Sequence, residues 1–125
     1  IFGGQAPQAA IQATLDTHFS DSSIASLITM GLESRDRDTR QTIAEFGQMC
    51  SVEAGLPGAI HLISRHADDF KTAMVENVMA GGDSSARGMM AGMVLGAAHG
   101  MEAIPAAWHA GMTASQGIDT LLDHL

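Results

Sequence analysis

Gly81-Gly82-Asp83-Ser84-Ser85-Ala86-Arg87-Gly88-Met89-Met90-Ala91-Gly92-Met93-Val94-Leu95-Gly96-Ala97-Ala98-His99-Gly100 is the stretch that decides the fold. Paired glycines admit backbone conformations closed to other residues. Asp83, Ser84 and Ser85 then offer side-chain oxygens of the kind that cap a helix. The residues beyond them show no strand alternation and predict one helix to about His99. Gly88, Gly92, Gly96 and Gly100 recur every fourth residue, which on a helix makes one stripe of small residues. Each glycine costs such a helix about 1 kcal/mol against alanine, so the stripe predicts a close neighbouring helix as compensation. Met89, Met90, Met93, Val94 and Leu95 occupy the other faces, and a helix apolar nearly all round is predicted to be central and buried. Its apolar run, Gly88 to Ala98, is shorter than the about 20 residues a bilayer crossing needs.

The same helical punctuation extends outward from this segment. Pro7 is placed as a first-turn proline ahead of Ala9, Ala10, Ala13 and Leu15. Ser20, Asp21 and Ser22 are N-cap candidates for a helix with Ile24, Leu27, Ile28 and Leu32. A third helix is predicted from about Asp38 to Cys50. Gly55-Leu56-Pro57-Gly58 is predicted to be a break, with Pro57 opening a new helix through Ile60, Leu62 and Ile63. Asp68 is the expected cap of a helix carrying Phe70, Met74, Val75 and Val78. Pro105 opens a short segment through Trp108, and Ser115 or Thr113 is expected to cap a last helix with Ile118, Leu121 and Leu122. Strand and hairpin signals are nearly absent. The expected class is all-α: an orthogonal multi-helical domain of seven or eight helices over residues 1–125, or a fragment of a larger helical domain. The start at Ile1-Phe2-Gly3-Gly4, without Met, suggests a processed or truncated product.

Composition narrows the function. Six basic and fourteen acidic residues give a formal net charge of −8. The one basic cluster, Arg35, Arg37 and Arg40, is interleaved with Asp36 and Asp38, so a solvated helix start with internal ion pairs is expected. Counterion release from nucleic acid needs a basic face, and anionic lipid asks the same. Neither nucleic acid nor membrane is therefore an expected partner. The lone Cys50 cannot close an internal disulfide, which points to a reducing, cytoplasmic setting. Aromatics make up only 4% of the chain. The core is expected to consist of aliphatic residues with the nine methionines filling gaps.

The Gly-Gly-Asp start carries the chemistry. Free N–H groups at a helix N-terminus favour anions or carboxylates. Carboxylate and hydroxyl oxygens there equally suit a hard cation such as Mg²⁺. Around it, Glu76-Asn77-Val78-Met79-Ala80-Gly81-Gly82-Asp83-Ser84-Ser85-Ala86-Arg87-Gly88, then Gly96-Ala97-Ala98-His99-Gly100 and Ile104-Pro105-Ala106-Ala107-Trp108, follow in a fixed order. Upstream stand Ala54-Gly55-Leu56-Pro57-Gly58-Ala59-Ile60 and Asp69-Phe70. This spaced set resembles the ADP-ribosylglycohydrolase family from about Gly47 to Trp108.

The resemblance implies an all-helical fold and two Mg²⁺ ions held between an N-terminal acidic motif and a C-terminal Gly-Gly-Asp-Thr-Asp-Thr/Ser motif. It also implies cleavage of an N- or O-glycosidic bond to ADP-ribose, so an ADP-ribose-containing substrate is the expected partner. Carried onto this sequence, Asp83 and Ser85 are the expected metal ligands, and Gly81, Gly82, Ser84 and Arg87 the expected cofactor-binding residues. Two departures accompany it. No Thr-Asp-Asp-type motif occurs in the chain, and Ser85 and Ala86 stand where the family has a second Asp and a hydroxyl ligand. Those substitutions also suit an inactive family member that serves as a nucleotide-sugar binder or a structural module. The Met-rich composition admits a homo-oligomer.

Other constellations are bland. The six histidines show no zinc spacing and are expected at the surface or as caps, with His99 the candidate for burial. Cys50 is expected as a small buried hydrophobe. Adjacent Asp68 and Asp69 point apart on a helix start, and nothing in the sequence joins Glu53 to Glu76.

Overall fold

The structure is a computed structural model that describes residues 4–124. Among the described residues there are eight α-helices and no strand: α1 (Pro7–Thr14), α2 (Ala25–Glu33), α3 (Thr39–Phe46), α4 (Val52–Arg65), α5 (Phe70–Met79), α6 (Ser84–His99), α7 (Ala106–Gly111) and α8 (Ser115–Leu122). A π turn, Leu15–Phe19, extends α1, and a 3₁₀ turn, Met101–Ala103, follows α6. The chain is all-α, as expected, and no described helix is long and apolar enough to cross a membrane.

The central helix is α4, not α6. It buries ten of its fourteen residues and packs against α1, α2, α3, α5 and α6. The core forms where Leu62 and Ile63 of α4 meet Ile43 of α3, Phe70 and Ala73 of α5, and Ala91 and Leu95 of α6. The break expected at Gly55-Leu56-Pro57-Gly58 is absent, because α4 runs unbroken through Pro57. Proline in a helix interior removes one N–H donor. Here the carbonyl that loses its partner belongs to Glu53, in the exposed first turn, where water can replace the bond. Burial of Pro57 and Gly58 against neighbouring helices holds the rest of the helix in place.

The glycine stripe of α6 is only partly used. A methyl at Gly88 would lie 2.7 Å from Asn77 Nδ2, so α5 approaches closely there. At Gly92 the nearest atom is Met74 sulfur at 3.9 Å, and at Gly96 nothing lies within 4 Å. Among the described residues helix α6 has neighbours on one side only. It buries Arg87, Ala91 and Leu95, while Met89 and Met93 remain more than 60% exposed. The expectation of a Met-filled core fails with it: seven of the nine methionines are exposed, and the buried core is aliphatic apart from Phe70, with Met74 packed against it.

Several caps also differ from expectation. Asp38 caps α3 as expected, accepting from Gln41 N, but α3 ends at Phe46, where Gly47 turns to φ +106°. Cys50 thus lies in a connecting loop and is exposed. Asp69, not Asp68, caps α5, accepting from Thr72 N at 2.9 Å and Thr72 Oγ1 at 2.7 Å. Ile24 and Ala114 stand at the N-caps of α2 and α8 without a side-chain bond. In both places a backbone carbonyl of the preceding turn does the work: Ser22 O accepts from Ala25 N, and Met112 O from Ser115 N. The arginine cluster is solvated as expected, but two of its three partners lie beyond it, in Glu45 for Arg37 and Glu76 for Arg40.

His99 is exposed, and the buried histidine is His61. Ser34 Oγ donates to Gly31 O at 2.8 Å, so it must accept from His61 Nδ1, also at 2.8 Å. His61 Nε2 then accepts from Thr39 Oγ1 at 3.2 Å, and Thr39 in turn accepts from His66 Nε2 at 3.1 Å. This chain ties the end of α2 and the start of α3 to α4. Burial, helped by the positive charge of Arg65, holds the His61 pKa down to about 4 from its ordinary 6.5. The unfolded chain therefore takes up this proton first as pH falls. Stability from neutral His61 is complete above pH 6.5 and is lost as pH falls from there towards 4. The melting temperature of the wild type is expected to drop across that window more steeply than that of His61→Gln; parallel slopes would remove the assignment.

Candidate functional site

The Gly81-Gly82-Asp83 turn joins α5 to α6, and both glycines have positive φ, +72° and +65°. The loop after α3 lies directly over it. Asp83 N donates to Gln48 O at 2.9 Å, and Gln48 Nε2 donates to Ala80 O at 2.5 Å. A methyl at Gly82 would lie 2.3 Å from Gln48 O and Cβ, so only glycine lets the loop close down. From the turn, Asp83 caps α6: its Oδ1 accepts from Ala86 N at 3.1 Å. Among the described residues its Oδ2 has no protein donor.

Beneath the turn lies a second grip. Asn77, buried in α5, donates from Nδ2 to Ser84 O at 2.8 Å. Arg87, only 1% exposed, donates from Nε to Asn77 Oδ1 at 3.2 Å and from Nη2 to the carbonyls of Asn77 and Gly81. Burial lowers the Arg87 pKa, and the nearby Asp83 charge partly offsets this.

The structure thus gathers Gly81, Gly82, Asp83, Ser84 and Arg87 at one helix start. Asp83 and Ser84 are half-buried, Gly82 and Ser85 are exposed, and Arg87 faces the interior. Sequence reasoning missed Gln48 and gave Asn77 no role. An asparagine inside a helix was the available signal, since Asn competes with the helix backbone for hydrogen bonds and is disfavoured there without a partner. Gln48 offered no signal, because its part is played by its position over the turn. An apolar cavity of about 560 Å³, lined by Ile11, Phe19, Ile28, Leu56, Ile60 and Val94 among others, lies apart from the turn.

The side-chain oxygens at the turn are one carboxylate, Asp83, and the following hydroxyls of Ser84 and Ser85; the side chain of Ala86 has no oxygen. Among the described residues no three His, Cys, Asp or Glu side chains come together as a metal-binding group. Mg²⁺ takes hard oxygen ligands, keeps several of its waters and needs only one or two carboxylates. The set present fits one hydrated Mg²⁺ and is too small for two.

The fold is an all-helical one in which a capping aspartate stands on a glycine turn, and the sequence comparison says which family has it. The pattern of the ADP-ribosylglycohydrolase family matches residues 3–125, so the chain belongs to that family. It is also similar to ADP-ribosyl-(dinitrogen reductase) glycohydrolase of Rhodospirillum rubrum, 42% identical over 41 residues. That alignment covers 33% of this chain and 14% of the relative, so the chain matches only a small part of that protein's length. No solved structure matches the chain significantly.

Proposed function

We propose that this chain forms one wall of an ADP-ribosyl glycohydrolase site, and that the whole protein hydrolyses an N- or O-glycosidic bond to ADP-ribose. The observation that carries the proposal is Asp83, held at a helix start gripped from two sides, with one carboxylate oxygen free of the protein. The family membership and the activity that names the relative support it.

Asp83 and Ser85 would hold one Mg²⁺. When bound, that ion supplies a Lewis acid that lowers the pKa of a coordinated water. Asp83 contributes the negative charge and the fixed direction, because its cap to Ala86 N restrains the carboxylate. Beside the positive end of α6, the Gly82 N–H and the Ser84 hydroxyl are the groups that suit the diphosphate of ADP-ribose, since Gly81 N and Ser84 N already donate to Val78 O and Gly82 O. The glycines keep that approach open, since neither carries a side chain.

Ser85 and Ala86 favour a second reading, in which the chain binds a nucleotide sugar without turnover. Release of free ADP-ribose from a mono-ADP-ribosylated protein separates the two. With the whole protein and Mg²⁺, Asp83→Ala is expected to slow release at least about tenfold, the size of losing one charged ligand contact. Binding of ADP-ribose with no release in the wild type would establish the binder instead.

A further inference from the structure

The inner grip on the Gly81–Asp83 turn is a buried cation to which, among the described residues, no carboxylate is bonded. Among the described residues Arg87 donates only to neutral acceptors, Asn77 Oδ1 and the carbonyls of Asn77 and Gly81, and its buried Nη1 has no partner there. A buried charge is costly unless well paired, and a hydrophobic residue in its place is often neutral or stabilising. Packing therefore does not explain this residue. Space had to be cleared for it as well: a methyl at Gly58 of α4 would lie 2.9 Å from Arg87 Cδ.

What the guanidinium holds explains it better. Nη2 fixes Gly81 O, two residues before Asp83. Nε fixes the side chain of Asn77, whose amide fixes Ser84 O, one residue after Asp83. The two attachments bracket the aspartate in sequence, while Gln48 closes the turn from outside. We infer that Arg87 is a positioning residue that, acting through Gly81 and Asn77, fixes the direction in which the Asp83 carboxylate leaves the turn. That direction matters because of the function proposed above; the positioning itself can be tested without it.

The test is amide hydrogen exchange of this chain as wild type, Arg87→Met, Arg87→Lys and the core truncation Leu95→Ala. Arg87→Met, which leaves Asn77 Oδ1 and Gly81 O without their donor, is expected to speed exchange at Asp83, Ser84 and Ala86 at least about tenfold, beyond what any fall in melting temperature produces in Leu95→Ala. Arg87→Lys is expected to fall between, since an ammonium cannot reproduce the fork that reaches both partners. Leu95→Ala is expected to lower the melting temperature and leave local opening of the turn near wild type. Turn amides that exchange as in wild type in both Arg87 variants, or no faster than in Leu95→Ala, would overturn the inference. If Arg87→Met does not fold, Arg87→Lys decides, and equality with wild type is the contrary result. Since no substrate enters the measurement, loss of the hydrolase proposal would leave its outcome unchanged.

Discussion

Gly31→Ala is expected to lower stability by about 3 kcal/mol or more, the upper range for overpacking a core, or roughly 10 °C in melting temperature. The added methyl would lie 2.5 Å from Ile60 Cβ, 2.7 Å from Ile60 Cγ2 and 2.8 Å from Pro57 O. None of these atoms ends a flexible side chain. Ile60 is β-branched and stiff at χ1, and the carbonyl belongs to the backbone of α4. Relief would require α2 to move away from α4, the helix that organises the core. Gly55→Ala provides the contrast within α4. A methyl there meets nothing within 4 Å, so replacing glycine in a helix is expected to stabilise by up to about 1 kcal/mol. Thermal melts of the two variants check both expectations, and a Gly31→Ala chain that melts with wild type would refute the close α2–α4 packing.

Gly82→Ala is expected to cost about 2–3 kcal/mol, from a left-handed backbone and a collision together. The φ of +65° disfavours any side chain, and the methyl would lie 2.3 Å from Gln48 O and 2.8 Å from Gln48 Cα. The loop after α3 must then lift, which breaks the bond from Asp83 N to Gln48 O. The damage should concentrate at the turn and weaken the cap on Ala86. Gly96→Ala, within α6 itself, has nothing within 4 Å and is expected to be neutral or mildly stabilising. Melting curves together with exchange at Asp83 and Ala86 distinguish the two, and equal behaviour would show that Gln48 does not close the turn.

Local chemistry was legible in the sequence wherever one residue decides a boundary. Pro7 opens α1, Asp38 caps α3, and Gly81-Gly82-Asp83 opens α6, each where its residue type predicts. The Gly-Gly-Asp turn could be found because positive φ and capping are properties of the residues themselves. Pro57 misled for the same reason: its intrinsic preference is for a helix start, but tertiary packing around α4 overrides it. The apolar surface of α6 misled because periodicity gives the width of an apolar face and not the number of neighbours available to cover it. Burial of His61 depends on Ser34 and Thr39, 27 and 22 residues away, and Arg87 depends on Asn77 and Gly81. Such partnerships exist only once helices pack, and no spacing rule announces them.

The measurement that bears most directly on the presented aspartate is a Mg²⁺ titration of thermal stability, wild type against Asp83→Ala. Ligand that binds the folded state alone raises stability with concentration. The wild type should rise with Mg²⁺ and the variant should not. Identical responses, whether both rise or both stay flat, would contradict the placement of a cation-binding carboxylate at residue 83.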